Sequence, residues 1–159
     1  MKIEQQRWTA ESGWQRKTEN GIAPNVNLVI AFGSRTALSD PARFNEIKSF
    51  YPGAQILTGT TSGEIHDVEV NDETIALTAI QFEKTQIKTA QLKIGDVENS
   101  FEAAKKLATE LMADDLKHIF VLSDGLKVNG SELVKGFNAV LPDSVLVTGG
   151  LAGDAANFK

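Results

Sequence analysis

Residues 26–32 (Val-Asn-Leu-Val-Ile-Ala-Phe) form a nearly continuous apolar run. A membrane span needs about 20 such residues, so this run is too short to be one. It reads instead as a strand buried on both faces, as strands of helix-covered parallel sheets are. Ser39-Asp40-Pro41 follows. Asp40 suits a helix N-cap and Pro41 the first helical position. Phe44, Ile47 and Tyr51 then fall at helical spacing, and Pro52-Gly53 stops the helix. Residues 54–58 read as the next strand. This strand, helix, strand order has the length that a crossover between parallel strands needs.

The remaining chain extends the pattern. Residues 74–82 are rich in strand formers, and residues 87–92 follow after a few polar positions, which predicts a hairpin and an antiparallel part of the sheet. Asn99 begins a helix with Glu102 as a partial capping box, and Phe101, Ala104, Leu107 and Leu111 make its inner stripe. Residues 118–122 form a short apolar strand. Asn129 or Ser131 caps another helix with Leu133, Phe137 and Val140 facing inward, and residues 145–148 form a last strand. At the N-terminus, residues 3–9 read as a strand and residues 12–20 as a short helix using Trp14. The expectation is an α/β domain with a mixed, mostly parallel sheet and helices on both faces. No covering element follows the last strand, so a single domain, residues 1–159, truncated from a longer protein is expected.

Composition narrows the function. The chain has 159 residues, 42% hydrophobic and 23% charged, as a soluble globular domain does. Its net charge is −5 and it carries no basic stripe, which argues against nucleic-acid binding. No apolar signal core opens the chain, so a cytoplasmic location without membrane insertion is expected. The chain has no Cys, which removes thiolate nucleophiles, thiolate zinc sites and iron–sulfur clusters.

Four apolar strands each run into a small polar turn: Gly33-Ser34-Arg35, then Thr58-Gly59-Thr60-Thr61-Ser62-Gly63-Glu64, then Ser123-Asp124-Gly125, then Thr148-Gly149-Gly150-Leu151-Ala152-Gly153-Asp154. If the strands are parallel, the turns meet at one sheet edge, where α/β ligands bind. Glycines admit backbone amides to a ligand and hydroxyls bond it without fixed charge. The candidate lining is Ser34, Thr61, Ser62, Gly63, Ser123, Asp124, Gly125, Gly149, Gly150 and Asp154. Asp124 is open to two readings, a partner for a ligand ammonium or the cap of a turn. Glu132 reads as closing a capping box on Asn129.

Standard catalytic signatures are missing. The glycines do not fit Gly-x-Gly-x-x-Gly, and Ser131 stands where a Walker loop needs Lys. Neither Ser62 nor Ser123 sits in a nucleophile elbow. His118 begins a strand at the end away from the turns, and His66 lies nearer to them. Asp67, Glu69, Asp72 and Glu73 read as a solvated loop. No catalytic residue and no metal site is expected.

The segments Ser123-Asp124-Gly125-Leu126, Asn129-Gly130-Ser131-Glu132-Leu133 and Thr148-Gly149-Gly150-Leu151-Ala152-Gly153-Asp154 resemble the N-terminal FIST domain (F-box and intracellular signal transduction). Val29-Ile30-Ala31-Phe32-Gly33-Ser34 and Thr58-Gly59-Thr60-Thr61-Ser62-Gly63-Glu64-Ile65 resemble the same family's first two strand ends, in the same order. The resemblance covers roughly residues 26–158. It implies an intracellular sensory input domain, not an enzyme, that binds a small molecule such as an amino acid; no cofactor is expected. It also implies a C-terminal FIST half and an output partner such as a histidine kinase, chemotaxis receptor or diguanylate cyclase. The alternative it implies is a haem-based nitric-oxide sensor, with His66 as the best axial ligand and Met112 and Tyr51 as poorer ones. A hydrolase using Ser62 or Ser123 is a third reading.

Overall fold

Ile75, Leu77 and Ala79 alternate with Ala76, Thr78 and Ile80, the period-two pattern of a strand with one covered face. The computed structural model, which describes residues 1–17 and 21–155, builds its larger sheet around this strand. The chain divides into two units, Met1–Ile87 with Gly153–Lys159, and Lys88–Ala152.

The first unit contains β1 (Lys2–Thr9), β2 (Gly13–Arg16), β3 (Leu28–Gly33), α1 (Arg35–Ser39), α2 (Pro41–Phe50), β4 (Gln55–Thr60), β5 (Glu64–His66), β6 (Glu69–Asn71) and β7 (Ile75–Gln81). Five strands form one sheet in the order β2-β1-β7-β3-β4. β3 and β4 are parallel, whereas β1–β2, β1–β7 and β3–β7 are antiparallel. The expected α/β class with a mixed sheet and helices packed against it is the one adopted, with antiparallel pairing prevailing in this sheet. One face of the sheet is enclosed over its central strands: Val29 and Ala31 of β3 and Ile75, Leu77 and Ala79 of β7 pack with Ala37, Ile47 and Tyr51. On the other face Leu28, Ile30 and Phe32 are half-buried, so β3 is sealed on one side only.

Asp40 caps α2 as expected, its side chain accepting from Ala42 N at 2.9 Å. Ile47 and Tyr51 are buried, but Phe44 is 46% exposed. Residues 12–17 correct the expected N-terminal helix. Gly13 turns the chain at φ +67°, and Trp14 and Arg16 then alternate with Gln15 beside β1. The Trp14 indole donates to Glu46 Oε2 of α2 at 2.6 Å. The rest of that predicted helix, residues 18–20, lies outside the described residues. The predicted strand at 87–92 is not formed. β7 is already paired on both sides, by β1 and β3, so it offers no edge to a following strand. The acidic stretch from Asp67 to Glu73 is also more ordered than a loop. β5 and β6 make an antiparallel ribbon turning at Asp67, which has φ +60°, and Asp67, Glu69, Asp72 and Glu73 stay exposed.

A polar cluster lies within the enclosed face. Glu4 and Gln6 of β1 are each 1% exposed, and Tyr51 is fully buried. The Tyr51 hydroxyl donates to Glu4 Oε1 at 2.7 Å and accepts from Gln6 Nε2 at 2.6 Å. Burial, then the Glu4 hydrogen bond and charge, push the Tyr51 phenol well above its ordinary value. Tyr51→Phe keeps the ring but leaves Glu4 and Gln6 without that hydroxyl. It should cost about 1–3 kcal/mol in urea denaturation; an unchanged midpoint would show that the cluster adds nothing.

The second unit contains α3 (Ser100–Leu111), β8 (His118–Ser123), α4 (Gly130–Asn138) and β9 (Leu146–Leu151). β8 and β9 pair in parallel, with α4 as their crossover. Ile119 packs with Ala104, Ala108, Leu133, Phe137 and Leu141. Asn99 and Asn129 cap α3 and α4, accepting from Glu102 N and Glu132 N. The glutamates do not complete capping boxes; their carboxylates hold Lys105 and Lys135 instead. β9 runs on through Gly149 and Gly150, which were expected in a turn. Gly149 lies against Val121, and a Cβ there would be 1.8 Å from the Val121 carbonyl oxygen.

α3 and α4 meet at Gly136, where a Cβ would fall 2.3 Å from Phe101 O and 2.7 Å from Ala104 Cβ. Gly136→Ala should therefore force the helices apart at a cost of about 1–3 kcal/mol, despite alanine's better helix propensity. A denaturation midpoint that rises would refute this account of the contact.

Candidate functional site

The carboxyl ends of β3 and β4 are adjacent because the two strands are parallel, with Gly33 opposite Thr60. Four short segments gather there. Thr61 N donates to Gly33 O at 3.1 Å, Ser34 N to Thr74 O at 3.0 Å, and Gly153 N to Thr60 O at 3.0 Å. Of the ten expected lining residues, Ser34, Thr61, Ser62, Gly63 and Asp154 belong to this edge.

Several of these residues already have structural work. Ser34 caps α1, accepting from Ala37 N at 3.1 Å and donating to Glu73 Oε2 at 3.3 Å. Thr61 Oγ1 donates to Glu64 Oε1 at 2.7 Å. Glu64 is 2% exposed, and its other oxygen accepts from Thr74 N and Thr74 Oγ1 at 3.1 and 3.0 Å. This carboxylate thus ties the end of β4 to the start of β7. Ser62 is exposed and accepts from Ala155 N at 3.1 Å. Asp154 Oδ2 accepts from Arg35 Nη1 at 3.3 Å. Arg35 and Glu64 were missed in the sequence. Arg35 had a signal, a lone cation in a strand-end turn. Glu64 had only its spacing from Thr61.

The other five residues lie in the second unit, at the β8–β9 pair. The structure therefore divides the expected lining between two sheets. Asp124 Oδ1 accepts from Leu126 N at 2.8 Å and Lys127 N at 2.7 Å, the turn-capping geometry. Those two amides hold its carboxyl below the usual value. Ser123 Oγ is buried with no hydrogen-bond partner among the described residues. Gly125 sits against Ala152 O, and Gly150 has open space around it. His118 Nε2 is 2.7 Å from Thr148 Oγ1. A surface depression along α3, lined by Glu98, Glu102, Lys105 and Lys106, includes none of the ten.

His66 sits on the inner face of the β5–β6 ribbon, cross-strand from Glu69. Its Nε2 is enclosed, with no hydrogen-bond partner among the described residues. A haem iron needs an open imidazole nitrogen and an apolar wall beside it. Ile65 and Val70 pair on the opposite ribbon face and are exposed. The Tyr51 hydroxyl is engaged with Glu4 and Gln6, and Met112 is the C-cap of α3.

Residues 27–159 match the FIST N domain family. The chain belongs to the FIST N family. FIST domains form a sensory family of signal transduction, not an enzyme family. The match begins just before β3 and covers both parallel strand pairs, while the β1–β2 hairpin precedes it. No curated protein and no solved structure gives a significant match to this FIST N domain. Among its described residues no helix is long and apolar enough to cross a membrane.

Burial first, then the charges of Arg7 and Lys17, lower the His66 pKa from its ordinary 6.5. As pH falls through 6.5, the unfolded chain takes up this proton before the folded one does. Stability is therefore lost on acidification through that window. In His66→Gln, the urea midpoint should change less between about pH 7 and pH 5 than in the parent. Identical slopes would remove His66 from the pH response.

Proposed function

We propose that this FIST N domain is a sensory input module that binds a small carboxylate-bearing ligand, an amino acid, at the carboxyl ends of β3 and β4. The observation that carries the reading is the convergence of Arg35, Thr61, Ser62 and Gly63 at that edge. The half-exposed guanidinium of Arg35 matches a carboxylate with two parallel donors. The exposed Ser62 hydroxyl adds a partner without fixed charge. Gly63, at φ +155°, lets the chain bend back there without a side chain in the way. The ligand would bias the domain between two arrangements read by a C-terminal FIST half or by an output partner in the cytoplasm, such as a histidine kinase, chemotaxis receptor or diguanylate cyclase.

A thermal-shift series with the twenty amino acids and small dicarboxylates tests this. A binder at 100 times its dissociation constant should add about 2.7 kcal/mol, a shift of several degrees. Arg35→Gln should weaken that binder about 10- to 100-fold. If nothing shifts the midpoint, or if the variant binds as the parent does, the site is wrongly placed.

A further inference from the structure

Residues 153–155 lie on the same edge that the ligand would use. Gly153 N bonds the last carbonyl of β4, and Ala155 N bonds Ser62 Oγ. Between them Asp154 presents its carboxylate to Arg35. Gly153 fits this path closely, because a Cβ there would come within 2.8 Å of Ser62 Oγ. Both groups offered to a ligand, the Arg35 guanidinium and the Ser62 hydroxyl, therefore already hold this one segment, and the group on Arg35 is itself a carboxylate.

We propose that residues 153–155 are a built-in competitor, with Asp154 occupying the carboxylate subsite on Arg35 until a ligand carboxylate displaces it. The proposal rests on the ligand site described above. Its physical basis is identity of chemistry: one guanidinium, two carboxylates, one place. The docked segment is also held under some strain, since Ala155 has φ +56°, a backbone region that L residues disfavour. The Arg35–Asp154 pair is partly solvated, with side chains 44% and 17% exposed, so exchange between the two carboxylates is easily reversed. Gly153 is the first residue after the second unit. Asp154 is then a rival of the ligand and not part of its lining.

The two roles predict opposite signs for Asp154→Asn. Calorimetric titrations of the whole chain with L-glutamate, L-alanine and succinate would be compared for the parent and this variant. Loss of the competitor should tighten whichever of them binds by about two- to fivefold. A role in holding a ligand ammonium would instead weaken the two amino acids and leave succinate alone. Hydrogen exchange gives a second readout. Saturating the parent with the binder should strip protection from the Gly153 and Ala155 amides. Weaker or unchanged affinity in Asp154→Asn, or retained protection under saturation, overturns the competition while leaving the site in place. Undiminished affinity in Arg35→Gln overturns the site itself, and so does a lack of binding by all three probes to both proteins; the competition falls with it.

Discussion

The pairing of β7 on both of its edges organises the first unit. A buried strand must satisfy every backbone donor and acceptor it carries. β7 does so by joining β1 on one side and β3 on the other, with Ile75, Leu77 and Ala79 sealed beneath. Everything else at the candidate site is referred to that strand. Glu64 clamps its first turn of chain through Thr74, and the same carboxylate takes the hydroxyl of Thr61. The loop after β4 is thereby indexed to the start of β7, which leaves Ser62 projecting beyond it.

Elements set by local interactions were legible in the sequence. Asp40, Asn99 and Asn129 each accept from an amide two or three residues on, so their roles are written within one turn of chain. The apolar strands β3, β4, β7, β8 and β9 were visible as runs. What failed depended on distant partners. Residues 13–16 become a strand because β1 and Glu46 receive them. Residues 87–92 stay irregular because β7 has no vacant edge. The site was half legible for the same reason. Strand-end turns announce themselves through Gly, Ser and Thr, but which turns share a sheet is a matter of topology. No local signal separates the buried Glu64 from its exposed neighbours Asp67 and Glu69. Asp124 admitted two readings, and the geometry seen is that of the turn.

The site combines rigid and soft parts. Ser34, Thr61 and Glu64 form fixed hydrogen bonds at the strand ends. Arg35, Ser62 and Asp154 are more exposed and make contacts worth little individually in water.

The connectivity of the first unit also bears on how the protein folds during synthesis. Ile3 is paired with Ile80, so β1 must wait for β7 before it finds its inner neighbour. Long-range pairing of this kind slows folding, because loop closure precedes any stabilising contact. The second unit is one uninterrupted stretch, Lys88–Ala152, and among the described residues its core cluster is drawn from that stretch. Residues 153–155 then reach the β4 edge after β1–β9, the described strands of all three sheets, have been made. The last described segment to join the first unit is therefore also the one that sits on its candidate site.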